Sequence, residues 1–237
     1  MNNPIYEPRG RAREYSPLAL NVYKGCGHGC RYCYAPGALH LTREEFNAPG
    51  RREGLLDAVR RQLERNTVKD RVLLCFTCDP YGPLDREVED TRAVLELFLE
   101  HDVPCQVLTK GVHADRDFDL LQELDAAFAV TMTFIDDMNR REWEPFSAPV
   151  ARRLALVREA HDLGIPTWVS LEPVVDPEQS IALVHELADC VDLFKVGKLN
   201  HHPLASRIDW REFHLDVLEA LEQVGVDYYI KKDLRAF

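Results

Sequence analysis

Three cysteines, Cys26, Cys30 and Cys33, stand separated by three and then two residues just after an apolar run, Leu18 to Tyr23. Thiolates this close can converge on one metal centre. Gly25, Gly27 and Gly29 let the short loop between them wrap, because glycine reaches backbone angles that other residues resist. Soft thiolate ligands favour zinc, cuprous copper or an iron-sulfur cluster. A four-iron cube takes four ligands and this loop offers three, which leaves one iron open. A closed zinc site with His28 as fourth ligand is the alternative, although His28 lies between the cysteines and would have to fold back across its own loop.

The elements that must hold this loop are legible as alternating periods. Apolar runs at Leu18–Tyr23, Val72–Thr77, Pro104–Leu108, Ala127–Thr133, Thr167–Leu171 and Leu193–Gly197 predict six strands, with Asp227–Ile230 a candidate seventh. Between them, Leu55/Val59/Leu63, Val94/Leu95/Phe98, Leu121/Leu124, Leu154/Val157/His161, Ile181/Val184/Leu187 and Phe213/Val217/Leu221/Val224 recur at helical spacing. Gly164 and Gly225 sit where helices should end. Strands alternating with helices imply an α/β fold with a parallel sheet, here a partial (β/α)6 TIM-like barrel with the cysteine loop, residues 25–34, after the first strand. At 237 residues, 46% of them hydrophobic, the chain suits one domain over 1–237 with an N-terminal extension at 1–17.

Composition narrows the function classes. No run approaches the about eighteen apolar residues that a membrane span needs, and the polar N-terminus has no apolar signal core, so a soluble, cytoplasmic protein without a membrane partner is expected. Seven cysteines, an odd and uneven set, fit a reducing compartment and metal chemistry better than a disulfide framework, leaving Cys75, Cys78, Cys105 and Cys190 as free thiols. A net charge of -11 argues against broad, nonspecific nucleic-acid binding, though Arg9, Arg11, Arg13, Arg51, Arg52, Arg140, Arg141, Lys198, Lys231 and Lys232 could form a local basic face.

The pattern Cys26-x3-Cys30-x2-Cys33, with Tyr32 before the last cysteine, resembles the signature of the radical S-adenosylmethionine superfamily. That resemblance implies a [4Fe-4S] cluster whose open iron binds S-adenosylmethionine. It implies too a one-electron donor of flavodoxin or ferredoxin type, and cleavage of the cofactor to methionine and a 5'-deoxyadenosyl radical. Further along, Asp79-Pro-Tyr, Thr109-Lys110, Thr131 and Thr133, Glu144-Pro145, Ala148-Pro149, Arg153-Leu154 and Gly164-Ile165 fall in the order shown by the spore photoproduct lyase-like branch. Over Val22 to about Pro173, this implies that Lys110 meets the cofactor's carboxylate and that Cys78 or Asp79 lies near its amino group. Thr131 or Thr133 would help hold the cofactor, Tyr32 would contact the adenine end, and Tyr34 would lie beside the radical site. A lysine facing a carboxylate and a carboxylate facing an ammonium are chemically apt pairings.

The chain also departs from that branch. Members that repair the thymine lesion are longer and use a second-strand cysteine as hydrogen-atom donor, where the local match here puts Phe76. Cys75 and Cys78 flank that position, and strand alternation should point Cys75 away from the side Phe76 takes. The expected substrate is therefore open: nucleic acid, or a peptide or small metabolite. A non-catalytic zinc or iron-sulfur module is the rival from another class, and Lys110 discriminates, since a purely structural site has no use for a cation at its open face.

After anaerobic reconstitution, the wild-type chain should carry four irons, Cys30→Ala should lose them, and Cys105→Ala and Cys190→Ala should keep them. Full iron retention in Cys30→Ala would refute the ligand assignment.

Overall fold

The computed structural model describes residues 3–237. Seven strands, all parallel to their neighbours, form one sheet, and two further short strands pair antiparallel beside it. The sheet strands are β1 (Leu18–Leu20), β4 (Val72–Leu74), β5 (Cys105–Thr109), β6 (Ala127–Thr131), β7 (Thr167–Val174), β8 (Leu193–Lys198) and β9 (Asp227–Ile230), and the small ribbon is β2 (Tyr23–Lys24) with β3 (Gly50–Arg51). Neighbours in the sheet follow chain order. The candidate seventh strand is present, so the array has seven strands where six were expected.

Long helices cover one face. These are α3 (Leu55–Arg65), α5 (Asp90–Glu100), α8 (Val150–Asp162), α9 (Pro177–Leu187) and α10 (Trp210–Val224), with the shorter α6 (Phe118–Glu123) between α5 and α8. The other helices carry the apolar stripe their spacing implied, but α8 buries Val150, Arg153, Leu156, Val157 and Ala160 and leaves His161, expected on its stripe, exposed; α10 ends on Gly225 at φ 69°. Shorter pieces that no periodicity announced are α1 (Ala35–Ala38), α2 (Arg43–Asn47), α4 (Asp85–Val88), α7 (Asp137–Trp143) and α11 (Lys232–Arg235). None of the described helices is long and apolar enough to cross a membrane.

Alternation along the strands divides the interior in two. Val72, Leu74, Val107, Phe128, Val130, Val169, Phe194 and Val196 pack into the main core under the helices. Leu73, Ala127, Ala129 and Trp168 form a small second core on the inner face, joined by Tyr15. Tyr15 arrives from the N-terminal segment, whose Tyr6 bridges Ala19 at the β1 edge. The Tyr15 carbonyl accepts hydrogen bonds from Gln106 at 3.0 Å and Lys195 at 3.1 Å. The stretch expected to be an extension therefore lines the inside of the sheet.

Three expected strands are shorter than their apolar runs: β6 stops at Thr131, two residues before the end of its run, and β1 and β4 are cut short for one shared reason. The side-chain oxygen of Asn21 accepts from the amides of Phe76 at 2.8 Å and Thr77 at 2.9 Å, and its amide donates to the Tyr6 hydroxyl. It replaces the ladder, so β1 stops at Leu20, β4 stops at Leu74, and residues 75–79 turn into the concave side. Alternation no longer applies there, and Cys75 and Phe76 line the same cavity instead of opposite faces.

Asn21→Leu should leave two amides without partners, a cost of about 1–3 kcal/mol for each. For a chain of this size that lowers Tm by about 2–4 °C per kcal/mol. An unchanged melting curve would show that Asn21 does not set the strand ends.

Candidate functional site

A cavity of about 520 Å³ opens at the C-terminal ends of the strands, where loops of such sheets assemble their sites. Cys26, Cys30 and Cys33 line one side of it, together with Tyr32, Tyr34, Cys78, Asp79, Lys110 and Thr131. These residues come from the loop after β2 and the ends of β4, β5 and β6, and only the folded sheet brings them together. Thr133 is the exception: it is fully buried, and its hydroxyl lies 3.2 Å from the Tyr32 hydroxyl.

The cysteine loop is anchored at several points. The Cys26 amide donates to the Phe46 carbonyl at 2.8 Å, and the Arg31 amide to the Trp143 carbonyl at 2.9 Å. Gly25 holds φ 69°, and a Cβ there would lie 2.4 Å from the Phe46 carbonyl oxygen, so both angle and space demand glycine. Gly29 also has a positive φ, whereas Gly27 does not, and a Cβ on Gly27 would meet ordinary contacts with Pro83 and Pro49. Gly27 is thus not required for the wrap that the three glycines suggested.

His28 is buried, with Nε2 2.9 Å from Asp79 Oδ2, off the line of an ideal hydrogen bond, and Nδ1 3.2 Å from the Phe146 carbonyl oxygen. Asp79 also accepts from the Tyr81 amide at 2.9 Å, the Thr109 hydroxyl at 2.6 Å and the Lys110 amide at 2.7 Å. Burial alone would raise the Asp79 carboxyl, but His28, Thr109 and the Lys110 amide outweigh it and hold the group well below the usual carboxylate range. Asp79 fastens the cysteine loop to the ends of β4 and β5. Both His28 nitrogens face partners on other segments, which leaves His28 poorly placed as a zinc ligand.

Behind Tyr32 lies a polar network that spacing did not reveal. The Tyr32 hydroxyl bonds Glu144, whose carboxylate pairs with Arg153 at 2.6 Å; both charged side chains are fully buried. Arg153 also donates to the Thr131 carbonyl at 2.7 Å and the Ala148 carbonyl at 3.1 Å. Burial opposes ionisation of Glu144, yet Arg153, Lys110 and Tyr32 bring its pKa down to about 2. The Lys110 ammonium sits 5.7 Å from the Tyr32 ring centroid. Burial pulls Lys110 down, and negative charge on Cys30 and Glu144 more than restores it.

The three cysteines and Lys110 fit the implied cofactors. Three soft thiols face one cavity beside a lysine aimed at the same space, a donor set that suits a three-ligand iron-sulfur centre with an anionic co-ligand. Burial pushes the Cys30 thiol up to about 12, and a metal cation bound there would supply the charge that favours its thiolate.

The opposite side of the cavity is cationic. Arg9, Arg11, Lys198 and Lys231 line it with Tyr15, Glu172, Asn200 and His201. Lys231 is buried and pairs with Glu172 at 3.0 Å, and Glu172 also accepts from the Tyr15 hydroxyl. Gly197 makes room for this, since a Cβ there would lie 2.6 Å from the Glu172 carboxyl carbon. Tyr15 and Glu172 carry no local motif; their only sequence signal is position, Glu172 at a strand end and Tyr15 before the first strand.

Glu144 stays ionised down to about pH 2 in the folded chain but takes a proton near 4.5 when unfolded, so its contribution is present above pH 4.5 and fades as pH falls toward 2. Acid unfolding of Glu144→Gln should show a flatter slope over that window than wild type. Arg153→Met, which strands the carboxylate, should cost about 3–5 kcal/mol at neutral pH. Equal melting of Arg153→Met and wild type would show that the pair does not support the fold.

Comparison with known proteins agrees with this geometry. The Radical SAM superfamily matches residues 20–191. An uncharacterized protein of Methanocaldococcus jannaschii is 22% identical over 161 residues, covering 66% of this chain and 60% of that one. One of Mycobacterium bovis is 27% identical over 170 residues, covering 66% and 49%. The chain thus spans about half to three-fifths of the length of these curated relatives. An uncharacterized protein of Acidianus two-tailed virus is 24% identical over 240 residues, covering 91% and 76%. Among solved structures, a spore photoproduct lyase variant with bound AdoMet and dinucleoside spore photoproduct superposes at TM-score 0.73 and 17% identity, over 94% of this chain and 78% of that one. Streptococcus suis SuiB bound to S-adenosylmethionine gives 0.63 at 14%, over 90% and 49%. With the three-cysteine loop at the mouth of a parallel, consecutively ordered sheet and the superfamily matched across most of its length, the chain belongs to the radical SAM superfamily and has the fold of its spore photoproduct lyase-like branch.

Proposed function

We propose that this chain is a radical S-adenosylmethionine enzyme that abstracts hydrogen from an anionic substrate of nucleic-acid type. The observation that carries this reading is the single cavity that joins the cysteine loop and Lys110 on one side to Arg9, Arg11, Lys198 and Lys231 on the other, in a chain of net charge -11. Basic residues concentrated at a cavity in an acidic protein favour an anion there and repel it elsewhere. The dinucleoside bound by the lyase of similar fold is of the same chemical class.

When bound and reduced by an external one-electron donor, a [4Fe-4S] cluster on Cys26, Cys30 and Cys33 would supply the electron that cleaves S-adenosylmethionine to methionine and a 5'-deoxyadenosyl radical. The chain's own residues bind and orient. Lys110 would pair with the cofactor's carboxylate, while Cys78 and Asp79 border the space for its amino group. Thr131 faces the same space, and Thr133 acts through Tyr32, which the Glu144–Arg153 pair holds against the adenine end. Tyr34, half exposed at 51%, lies at the rim where substrate would approach the radical. Phe76 and Cys75 both reach the cavity, so Cys75 and Cys78 remain thiols close to the reaction space. A half-buried Lys110 lining the cavity favours an enzyme over a structural metal module, because a staple needs no cation there.

Reconstituted protein given dithionite and S-adenosylmethionine should release 5'-deoxyadenosine, and Cys30→Ala should not. Lys110→Ala should keep its iron and bind S-adenosylmethionine about tenfold to a hundredfold more weakly, the worth of a charge-assisted hydrogen bond. Single-stranded DNA, duplex DNA or RNA should raise the rate, and added salt should erase the gain. No 5'-deoxyadenosine from a full, reducible cluster overturns the catalytic reading; stimulation by a peptide or neutral metabolite fraction alone overturns the substrate class.

A further inference from the structure

A short element outside the expected helices grips the cysteine loop from both of its ends. Helix α2 begins at Arg43 with a capping box: the Thr42 hydroxyl accepts from the Glu45 amide at 3.2 Å, and the Glu45 carboxylate accepts from the Thr42 amide at 2.8 Å. This fixes the start of the helix and so the base of the Arg43 side chain. At the far end, the Phe46 carbonyl accepts from the Cys26 amide. Between these points the Arg43 guanidinium reaches back over the loop, donating to the carbonyls of Cys30 at 3.0 Å, Arg31 at 2.7 Å and Cys33 at 3.4 Å. One planar fork thus holds the backbone of two of the three ligand cysteines. Arg43 pairs with no carboxylate among the described residues, whereas its neighbour Arg31 is matched by Glu142 at 2.8 Å.

A guanidinium in this position carries an unneutralised positive charge beside the ligand backbone. Reduction adds one negative charge to a centre already held by three thiolates, and a nearby fixed cation favours the more negative state. We infer that Arg43 is a positioning residue that also sets the reduction potential of the cluster, raising it toward the reach of a biological one-electron donor. The inference rests on the cluster assignment proposed above. The electron comes from the external reductant, Arg43 stays protonated throughout, and no bond to it forms or breaks.

The test is a dye-mediated redox titration of reconstituted protein, followed by electron paramagnetic resonance, with iron and sulfide measured on each sample. At a fixed ambient potential Arg43→Gln should hold its iron but show about tenfold less reduced cluster, a shift of about 59 mV to more negative potential for one electron. Arg43→Lys, which keeps the charge, should titrate close to wild type, and so should Arg31→Gln, whose charge Glu142 already offsets. An unchanged midpoint in iron-replete Arg43→Gln overturns the inference. If Arg43→Gln sheds its iron, Arg43→Lys decides: a wild-type midpoint supports the charge effect, and a midpoint well below wild type overturns it. A wild-type chain that takes up no cluster would refute the cluster assignment instead, so the two failures are distinguishable.

Discussion

The fully buried pair of Arg153 and Glu144 is the contact on which the cysteine-loop side of the cavity depends. Removing both charges from water is costly, and such a pair is tolerated only where the remaining donors and lone pairs are satisfied. Here they are: Arg153 reaches the Thr131 and Ala148 carbonyls, and Glu144 takes Tyr32 and Ser147 as well as Arg153. The pair therefore ties α8 to the end of β6 and to the cysteine loop at once. Its charge also acts at a distance, since Glu144 helps keep Lys110 protonated beside Tyr32.

A second fastening works from the opposite side of the loop. Asp79 gathers His28, Thr109 and the Lys110 amide around one carboxylate, so a shift of the loop must be felt at the ends of β4 and β5. Helix α2 supplies a third hold through Phe46 and Arg43. Three independent grips on so short a loop hold its three cysteines in register, and groups fixed in advance cost no rearrangement when they act.

The cationic side of the cavity is built differently, from cations that the fold treats unequally. Lys231 is buried but matched by Glu172, and Arg11 is matched by Asp233 at 3.0 Å. Lys195, deeper on the inner face, rests 4.5 Å from the Trp168 ring centroid. Burial, then Lys231 and Arg71, bring its pKa down to about 8. Arg9, by contrast, is exposed at the mouth, where an incoming anion would first meet positive charge. The acidic balance of the chain is thus a property of its outer surface, and the cavity has the opposite character.

Local pattern was enough for much of this. Periods of two and 3.6 depend only on neighbours along the chain, so strands β4 to β9 and the five long helices were legible, as was the gathering of Cys26, Cys30 and Cys33 on one loop, which depends on short spacing alone. Lys110 and Asp79 were readable as strand-end residues. What no period could show were partners brought together across the sheet. Tyr15 meets Ser170 and Glu172 more than 150 residues away, and Asn21 cuts two strands short by reaching amides on another strand. Arg153 could pass for an ordinary polar position on a helix, yet it is buried, because the face it occupies is set by where β6 and the cysteine loop lie. Arg43 had one local cue, the Thr42 and Glu45 capping box, which announces a helix but not what its first side chain will hold. Spacing decided the chemistry available to this chain; strand order in three dimensions decided which charges face that chemistry, because electrostatic partners are chosen by distance in space and not along the sequence.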